Sequence, residues 1–361
     1  MINTRSKYKI ALVGYSLNQG GLEKVMSTLS VYFGSKDIDV HNILLTNDVG
    51  YPYGGKLVFI QKNTKGSFLG KLANFYRFYN YLRDEKFDYI IDFRYRINPV
   101  SEVLISKVIY NTKVIYSVQS SKIDTYVPNN RLLSKFIFGN QKFVCGSKGI
   151  QNEFEKRHDF KNVQTIYNPI SLPKDFNESD EDSNLGFKYI ISVGRFESQN
   201  IKQFDKLIET YLRSELPERN IHLVLLGDGE TKEKLQDLFK NYENIHFPGF
   251  RKNPYLYMQG AQFLVLCSKY EGFGMVLVEA LVTGTPVVSF DCYTGPNEII
   301  QPGYNGILVD NQNFDELRKA MNDLSANEEL LSLFRKNAQK SIVKFQTETI
   351  GNQWLQLMKI T

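Results

Sequence analysis

The sequence predicts an α/β protein made of two doubly wound, parallel-sheet domains in tandem. Three observations carry that expectation. The chain has 361 residues, more than one typical domain of roughly 150. Short β-branched or aromatic runs alternate with helical patterns, once over residues 1–170 and again from residue 188. Between the two series lies SLPKDFNESDEDSNLG, polar, acidic and aperiodic, which reads as a linker over 171–187. Open parallel sheets take ligands outside the carboxyl ends of their strands, so two facing domains would set two such edges across one cleft.

The first series opens with the apolar strand YKIALVGYS and the helix GGLEKVMSTLSVYFGS. VHNILLTN, FDYIIDF, KVIYSV, KFVCGS and VQTIYNP follow as strands, and SFLGKLANFYRFYNYLRDEKF and PVSEVLISKVIY lie between them as helices. Asn168-Pro169 halts the last strand. The second series runs KYIISVGR, HLVLLGDG, IHFPGF, QFLVLCS, TPVVSFD and GILVD, again separated by helices. No internal repeat of solenoid period is present. In the long helix, Phe68, Leu72, Phe75, Tyr79 and Leu82 recur at four- and three-residue steps and are expected to face the core. Lys71, Arg77, Arg83, Tyr76 and Phe78 lie elsewhere around it. A basic, aromatic helix of this kind can rest on anionic lipid; a solvated helix of the domain is the other reading.

Charge is divided unevenly. Residues 1–170 hold 24 Lys and Arg against 13 Asp and Glu, whereas 171–361 hold 20 against 26. The basic half therefore suits an anionic membrane surface, a phosphorylated substrate or nucleic acid. Nucleic acid is the poorest fit, because no nucleic-acid module accompanies the charge. No segment approaches the ~20 apolar residues of a membrane span, and MINTRSKYKIALVG lacks the layout of a signal peptide. Cys145, Cys267 and Cys292 are odd in number and far apart, giving neither a disulfide framework nor a zinc spacing, which fits a reducing cytosol. His41, His158, His222 and His246 show no metal or triad spacing and read as structural. The turn after the first strand has Gly14 and then Gly20-Gly21, so the G-x-G-x-x-G fingerprint of a dinucleotide-binding oxidoreductase is absent.

The most informative segment is SKYEGFGMVLVEALVTGTPVVSF, residues 268–290. QFLVLCS is a buried strand, YEGFG a turn, and MVLVEALVT a helix closed by Gly284. Gly272 and Gly274 sit where strand becomes helix, where outward N–H groups and the helix dipole favour an anion. Glu279 lies in a helix that is apolar nearly all round, so it must find hydrogen-bond donors; a ribose diol offers two, and backbone or a neighbouring Arg is the structural alternative. Glu271 either meets a ligand or caps the helix. In ISVGRFESQNIKQFDKLIE, Arg195 follows a strand and Lys202 precedes the next helix. Two cations there suit a diphosphate whose charge grows on leaving, unless they are simply surface charges.

YEGFGMVLVEAL, with its Glu–seven–Glu spacing, stands in order with VGR, LLGDGE and GPNEII…GYNGILV. On these motifs the chain resembles glycosyltransferase family 4, the retaining nucleotide-sugar transferases of GT-B fold. The resemblance covers residues 190–310 and extends more weakly to GGLEKV and IYNPI. It implies a GT-B architecture of two Rossmann-like domains. These are an acceptor domain over 1–170, a nucleotide-sugar domain over 188–340, and a helix over 341–361 that contains Trp354 and crosses back to the first domain. Closure about the 168–187 hinge would expel water from the cleft. It implies that Arg195 and Lys202 hold the donor diphosphate with the backbone of Gly272, Phe273 and Gly274. Glu271 would contact the sugar and Glu279 the ribose. Gly20 and Gly21 would approach the diphosphate from the first domain, and the base would lie near Gly249 and Phe250. Two departures stand out. Lys202 falls two positions later after Arg195 than is common in the family, and Gln119 takes the place where the family often has a His facing the sugar.

The activity implied is transfer of a hexose from a nucleoside diphosphate sugar, expected to be a UDP-sugar, to a glycan or lipid-linked acceptor in bacterial surface polysaccharide synthesis. No cofactor and no metal are expected. Asp37-Ile-Asp39 lies before a strand and Asp180-Glu-Asp182 in the linker, so both read as solvated carboxylates rather than a metal site. The expected location is cytoplasmic, at the inner face of the membrane. For the acceptor, DYIIDFRYRINP ends a strand with Arg94 and Arg96, which suit an acidic acceptor or a pyrophosphate-linked carrier. Pairing with nearby Asp or Glu is the alternative. A GT-B nucleotide-sugar epimerase and a non-catalytic partner of polysaccharide assembly are the competing functions.

Overall fold

The computed structural model describes residues 8–18, 20–61, 68–171, 184–251 and 253–360. Of the expected linker, 172–183 lie outside the described residues, as do Asp180 and Asp182 and the side chain of Phe68. The chain divides into two compact units, one formed by 1–169 with 345–361 and the other by 170–344.

The first unit contains β1 (Lys9–Gly14), α1 (Gly21–Gly34), β2 (Asp39–Leu44), β3 (Lys56–Phe59), α2 (Phe68–Glu85), β4 (Tyr89–Asp92) and α3 (Pro99–Leu104). It continues with β5 (Lys113–Val118), α4 (Arg131–Phe138), β6 (Lys142–Cys145), α5 (Lys148–Arg157) and β7 (Val163–Thr165). Asn98 caps α3, accepting from Val100 N at 3.0 Å, with Pro99 at the first helical position. The helix then runs into a π-helical turn over Ile105–Ile109. All seven strands are parallel, in the order β3-β2-β1-β4-β5-β6-β7. Chain order reverses between β1 and β4. The edge strand β3 has no counterpart among the strands read from the sequence. It is four residues long and pairs on one side only, too short for a period-2 signal.

The second unit contains β8 (Lys188–Val193), α6 (Phe204–Leu212), β9 (Ile221–Leu226), α7 (Lys232–Leu238), β10 (Ile245–Gly249) and α8 (Tyr255–Gly260). After these come β11 (Leu264–Leu266), α9 (Met275–Val282), β12 (Val287–Phe290), α10 (Pro296–Ile299), β13 (Gly306–Val309), α11 (Phe314–Ala326) and α12 (Glu328–Ser341). Its six strands are parallel in the order β10-β9-β8-β11-β12-β13, with the reversal between β8 and β11. Strands such as KYIISV and IHLVLL are apolar along nearly their whole length because helices cover both faces of the sheet.

The last helix, α13 (Thr347–Met358), belongs to the first unit and packs on α1. Tyr32 Oη donates to Asn352 Oδ1 at 2.9 Å, Lys36 pairs with Glu348 at 2.9 Å, and Lys142 Nζ donates to the Leu357 carbonyl at 3.0 Å. Trp354 is buried, its ring 6.3 Å from that of Phe93.

In α2 Phe75, Tyr79 and Leu82 of the expected face meet the core, with Phe78 added to it and Leu72 left out. Phe78 and Leu82 are buried and Phe75 and Tyr79 pack against the same core, but Leu72 is exposed. Aromatics surround this helix, so periodicity alone does not select the face. Arg77 turns inward, donating to the Ile60 carbonyl and to Asn74 Oδ1.

The cysteines are buried and free, and burial pushes the thiols of Cys267 and Cys292 up to about 12. Asp39 faces Lys9, Lys56 and His41. Among the described residues no group of three or more His, Cys, Asp or Glu is placed to hold a metal ion, and no helix is long and apolar enough to cross a membrane. His222 Nδ1 lies 2.8 Å from His246 Nε2, and Phe187 stacks on both rings. Burial lowers the pKa of all four histidines. The folded chain therefore binds fewer protons than the unfolded chain once the pH drops below about 6.5. Stability is expected to be complete above that pH and to decline as pH falls through the depressed folded values. Melting temperature followed from pH 7.5 to 5 checks this, and His222→Gln with His246→Gln should flatten part of the decline.

Candidate functional site

The loops at the carboxyl ends of β8 and β11 flank the reversal of the second sheet, where open α/β sheets place ligands. α9 begins there. Gly274, with φ of 93°, precedes Met275, and its carbonyl accepts from Leu277 N at 2.9 Å. Seven of the eight residues of α9 are buried, so the helix is wrapped by protein and its amino end points its N–H groups toward the strand edge. Glu279, one helical turn in, is 9% exposed. A carboxylate in that position needs donors of its own.

The turn before α9 is held from two sides. Thr294 Oγ1 donates to the Glu271 carbonyl. Gly295, with φ of 97°, lies so close that a Cβ there would sit 2.1 Å from the Phe273 carbonyl oxygen. Gly295→Ala combines a left-handed backbone with that collision and is expected to destabilise the second unit by ~1–3 kcal/mol, as read by urea denaturation. On the other side, Lys269 N donates to the Ile201 carbonyl at 2.9 Å, and Gln203 Nε2 to the Cys267 carbonyl at 2.7 Å.

These ties bring the loop before α6 against the turn before α9. Lys202 Nζ lies 2.5 Å from Glu271 Oε1, and both side chains are mostly buried. The Lys202 stem crosses Gly194, its Cε 3.0 Å from where a side chain at that position would begin. Asn200 and Gln203, on either side of Lys202, are both in the left-handed region. Arg195 follows Gly194 directly. It is 60% exposed, with Nη1 3.8 Å from Glu197 Oε1. Arg195, Lys202, Glu271 and the 272–274 backbone thus occupy one strand edge, two cations and one carboxylate beside a helix amino terminus.

Gly249 closes β10 with φ of 86°, and Phe250 is exposed beyond it. The Gly227 N–H donates to the Gly249 carbonyl at 3.0 Å, and Phe196 N to the Asp228 carbonyl at 3.0 Å, so the turns after β8, β9 and β10 form one continuous rim. Lys232 reaches the same rim, its Nζ 3.2 Å from where a Cβ at Gly249 would stand. Lys232 carries no signal in the sequence, because a lone Lys at a helix start makes no pattern.

In the first unit, Gly20 is extended and precedes α1, whose first residue is Gly21. Gln119 follows β5 and donates from Nε2 to Ser117 Oγ at 2.8 Å. Its Oε1 is buried without a partner, as is Oδ1 of Asn168 after β7. Asn168 registered in the sequence only as the residue before a proline.

Arg94 and Arg96 do not present themselves to a ligand. Both are fully buried. Arg94 forks onto Asp92 (2.8 Å) and Glu102 (3.0 Å) through Nη2, with further bonds from Nε and Nη1. Arg96 donates to the carbonyls of Arg94, Ser117 and Tyr126. Burial works against ionisation of Asp92, but Arg94 and Arg96 outweigh it and hold the carboxyl below its usual range. Burial keeps Glu102 above its usual range. The acceptor-binding expectation for these two arginines is therefore replaced by a structural role. Their donors are engaged by acids and carbonyls of their own unit.

A family model described as glycosyl transferases group 1 matches residues 173–341. The amylovoran biosynthesis glycosyltransferase AmsD of Erwinia amylovora is 27% identical over 360 residues, covering 96% of this chain and 98% of that protein. An uncharacterized glycosyltransferase of Methanocaldococcus jannaschii is 30% identical over 280 residues, 69% of this chain and 68% of that protein. Among solved structures, Anabaena HepE in complex with UDP-glucose superposes with a TM-score of 0.78 at 18% identity, over 98% of this chain and 100% of that one.

Proposed function

The chain belongs to the group 1 glycosyl transferases, with the GT-B fold, and from that premise we propose that it transfers a hexose from UDP to a hydroxyl of a glycan or lipid-linked acceptor, with retention at the anomeric carbon, in the assembly of a bacterial surface polysaccharide. The observation that carries this reading is the grouping of Arg195, Lys202 and Glu271 at the amino end of α9. A relative named for amylovoran biosynthesis and a fold neighbour bound to UDP-glucose support the pathway and the donor.

In this reading the donor diphosphate lies against the N–H groups of 272–274, with Arg195 and Lys202 as its counter-charges. Glu271 faces the sugar and Glu279 the ribose hydroxyls. Gly249 and Phe250 border the base, and Gly20 and Gly21 approach the diphosphate. Gln119, with its unpartnered oxygen, is assigned to substrate hydroxyls. The bond from the anomeric carbon to the phosphate oxygen breaks, and the acceptor oxygen bonds to the same face of that carbon. The acceptor hydroxyl proton passes to a donor phosphate oxygen. Positioning and stabilisation of the leaving diphosphate are then the protein's contributions. No metal is assigned a step, and activity is expected to survive chelation with EDTA. The setting proposed is cytoplasmic, at the inner face of the membrane.

A thermal-shift panel of nucleotide sugars tests the donor. A donor at ~100 times its dissociation constant adds ~2.7 kcal/mol of stability, so UDP-sugars should raise the melting temperature. A panel in which ADP- or GDP-sugars stabilise and UDP-sugars do not removes the uridine assignment. Formation of a new glycoside, rather than an epimerised nucleotide sugar, separates transfer from epimerisation.

A further inference from the structure

The helices α2, α3 and α4 cover one face of the first sheet, and the π-helical end of α3 packs against both of its neighbours. Each buries one side: Phe78 and Leu82 on α2, Ile105 and Ile109 on the π-helical turn, Ile137 and Phe138 on α4. The opposite sides are also apolar. On α4, Leu132 is 81% exposed and Phe136 60%. Val108 on the π-helical turn is exposed, as are Leu69, Leu72 and Tyr76 on α2. Water-exposed apolar side chains gathered on neighbouring helices mark an interaction surface.

The charges among them are cationic. Lys107 lies over the Phe136 ring at 5.3 Å, its stem along apolar surface and its ammonium at the rim. Lys71 and Lys135 are exposed on the flanking helices. Glu102 is buried against Arg94, and the two acids of α2 lie at its far end, where Glu85 is tied to Lys9 at 2.6 Å and Asp84 is exposed. Lys135 meets Asp159 in an exposed pair, the kind that salt and competing anions weaken.

We propose that this face, from α2 across the π-helical turn to α4, is a membrane-docking surface that seats Leu132, Phe136 and Val108 among the headgroups of an anionic bilayer while the lysines meet lipid phosphates. Apolar side chains rimmed by lysine match such an interface in both chemistry and charge. A site on α2 alone, as its sequence suggests, is too narrow, since Phe78 and Arg77 of that helix point inward. The inference is independent of the donor reading, because vesicle binding can fail with UDP binding intact.

The test is flotation of the full chain with vesicles of phosphatidylcholine alone or mixed with phosphatidylglycerol. The parent chain is expected to float with the anionic vesicles, less as salt rises, and to remain behind with the neutral ones. Leu132→Asp with Phe136→Asp should lower the partition by more than roughly tenfold, the scale of losing two apolar contacts. Leu238→Asp, a like change at a 67% exposed position on α7, should leave it unchanged. If the double variant does not fold by circular dichroism, Lys71→Glu with Lys107→Glu supplies the same comparison. Failure of the parent chain to bind anionic vesicles, or equal flotation of the variants, overturns the proposal. So does a parent dimer that the double variant converts to monomer, which would assign the face to a second copy of the chain.

Discussion

Lys202→Ala is expected to reduce kcat/KM for the nucleotide sugar by roughly 10²–10³, the cost of removing one preorganised group that stabilises developing charge. Three features of the site lead to that size. Lys202 is mostly buried, so its charge is less screened than that of a surface lysine. Its stem is confined by Gly194, which fixes the ammonium beside Glu271. It also stands where the leaving diphosphate meets the amino end of α9 in the proposed reading. Most of the loss should fall on kcat, because the leaving group gains charge as the bond breaks. Arg195→Ala should act in the same direction. Arg195→Lys should restore little, since a point charge does not reproduce a bidentate guanidinium. Steady-state kinetics of the three variants with one donor provide the check. A Lys202→Ala enzyme whose kcat is unchanged and whose KM alone rises would make Lys202 a uniform binding group.

The second large effect is on stability. Arg94→Ala should destabilise the first unit by roughly 3–5 kcal/mol, the range for removing one partner of a buried ion pair. Arg94 is the hub of its cluster. Asp92 also accepts from Tyr110 Oη at 2.8 Å and keeps Arg96 at 3.9 Å, but without the Arg94 guanidinium Glu102 would lose its ion pair and Asp92 its closest one. Arg96→Ala should cost less, because it leaves carbonyls rather than acids without a donor. Trp354 is the only tryptophan and packs near Phe93, adjacent to Arg94, so its fluorescence reports on this unit during urea denaturation. The midpoint should fall with the slope unchanged. An unshifted midpoint accompanied by a raised acceptor KM would return these arginines to the acceptor site.

The same cluster shows where sequence reasoning stops. Arg94 and Arg96 at the end of a strand have the residue type and position of an anion site. What decides their role is Glu102, which the cap at Asn98 and the turn into α3 bring back onto Arg94. That fold-back is tertiary, and no spacing rule encodes it. The limits of the buried face of α2 were hidden for a related reason. With aromatics around its circumference, neighbouring elements select the buried face, and they chose Phe78 over Leu72. The alternation of strands and helices was legible because both sheets are covered on two faces, which makes their strands continuous apolar runs. The turn before α9 was legible because Gly272 and Gly274 mark the change from strand to helix and because a carboxylate within an apolar helix is a local exception. The position of Lys202 was only half legible. Its neighbours Asn200 and Gln203 adopt left-handed conformations that the sequence does not announce.

The most direct test of the central claim is a crystal structure of the chain with a bound UDP-sugar. The diphosphate should lie within hydrogen-bonding distance of Arg195, Lys202 and the amides of 272–274, with the ribose hydroxyls on Glu279. A diphosphate bound elsewhere, with Lys202 still closed onto Glu271 and no ligand at the start of α9, would contradict the account.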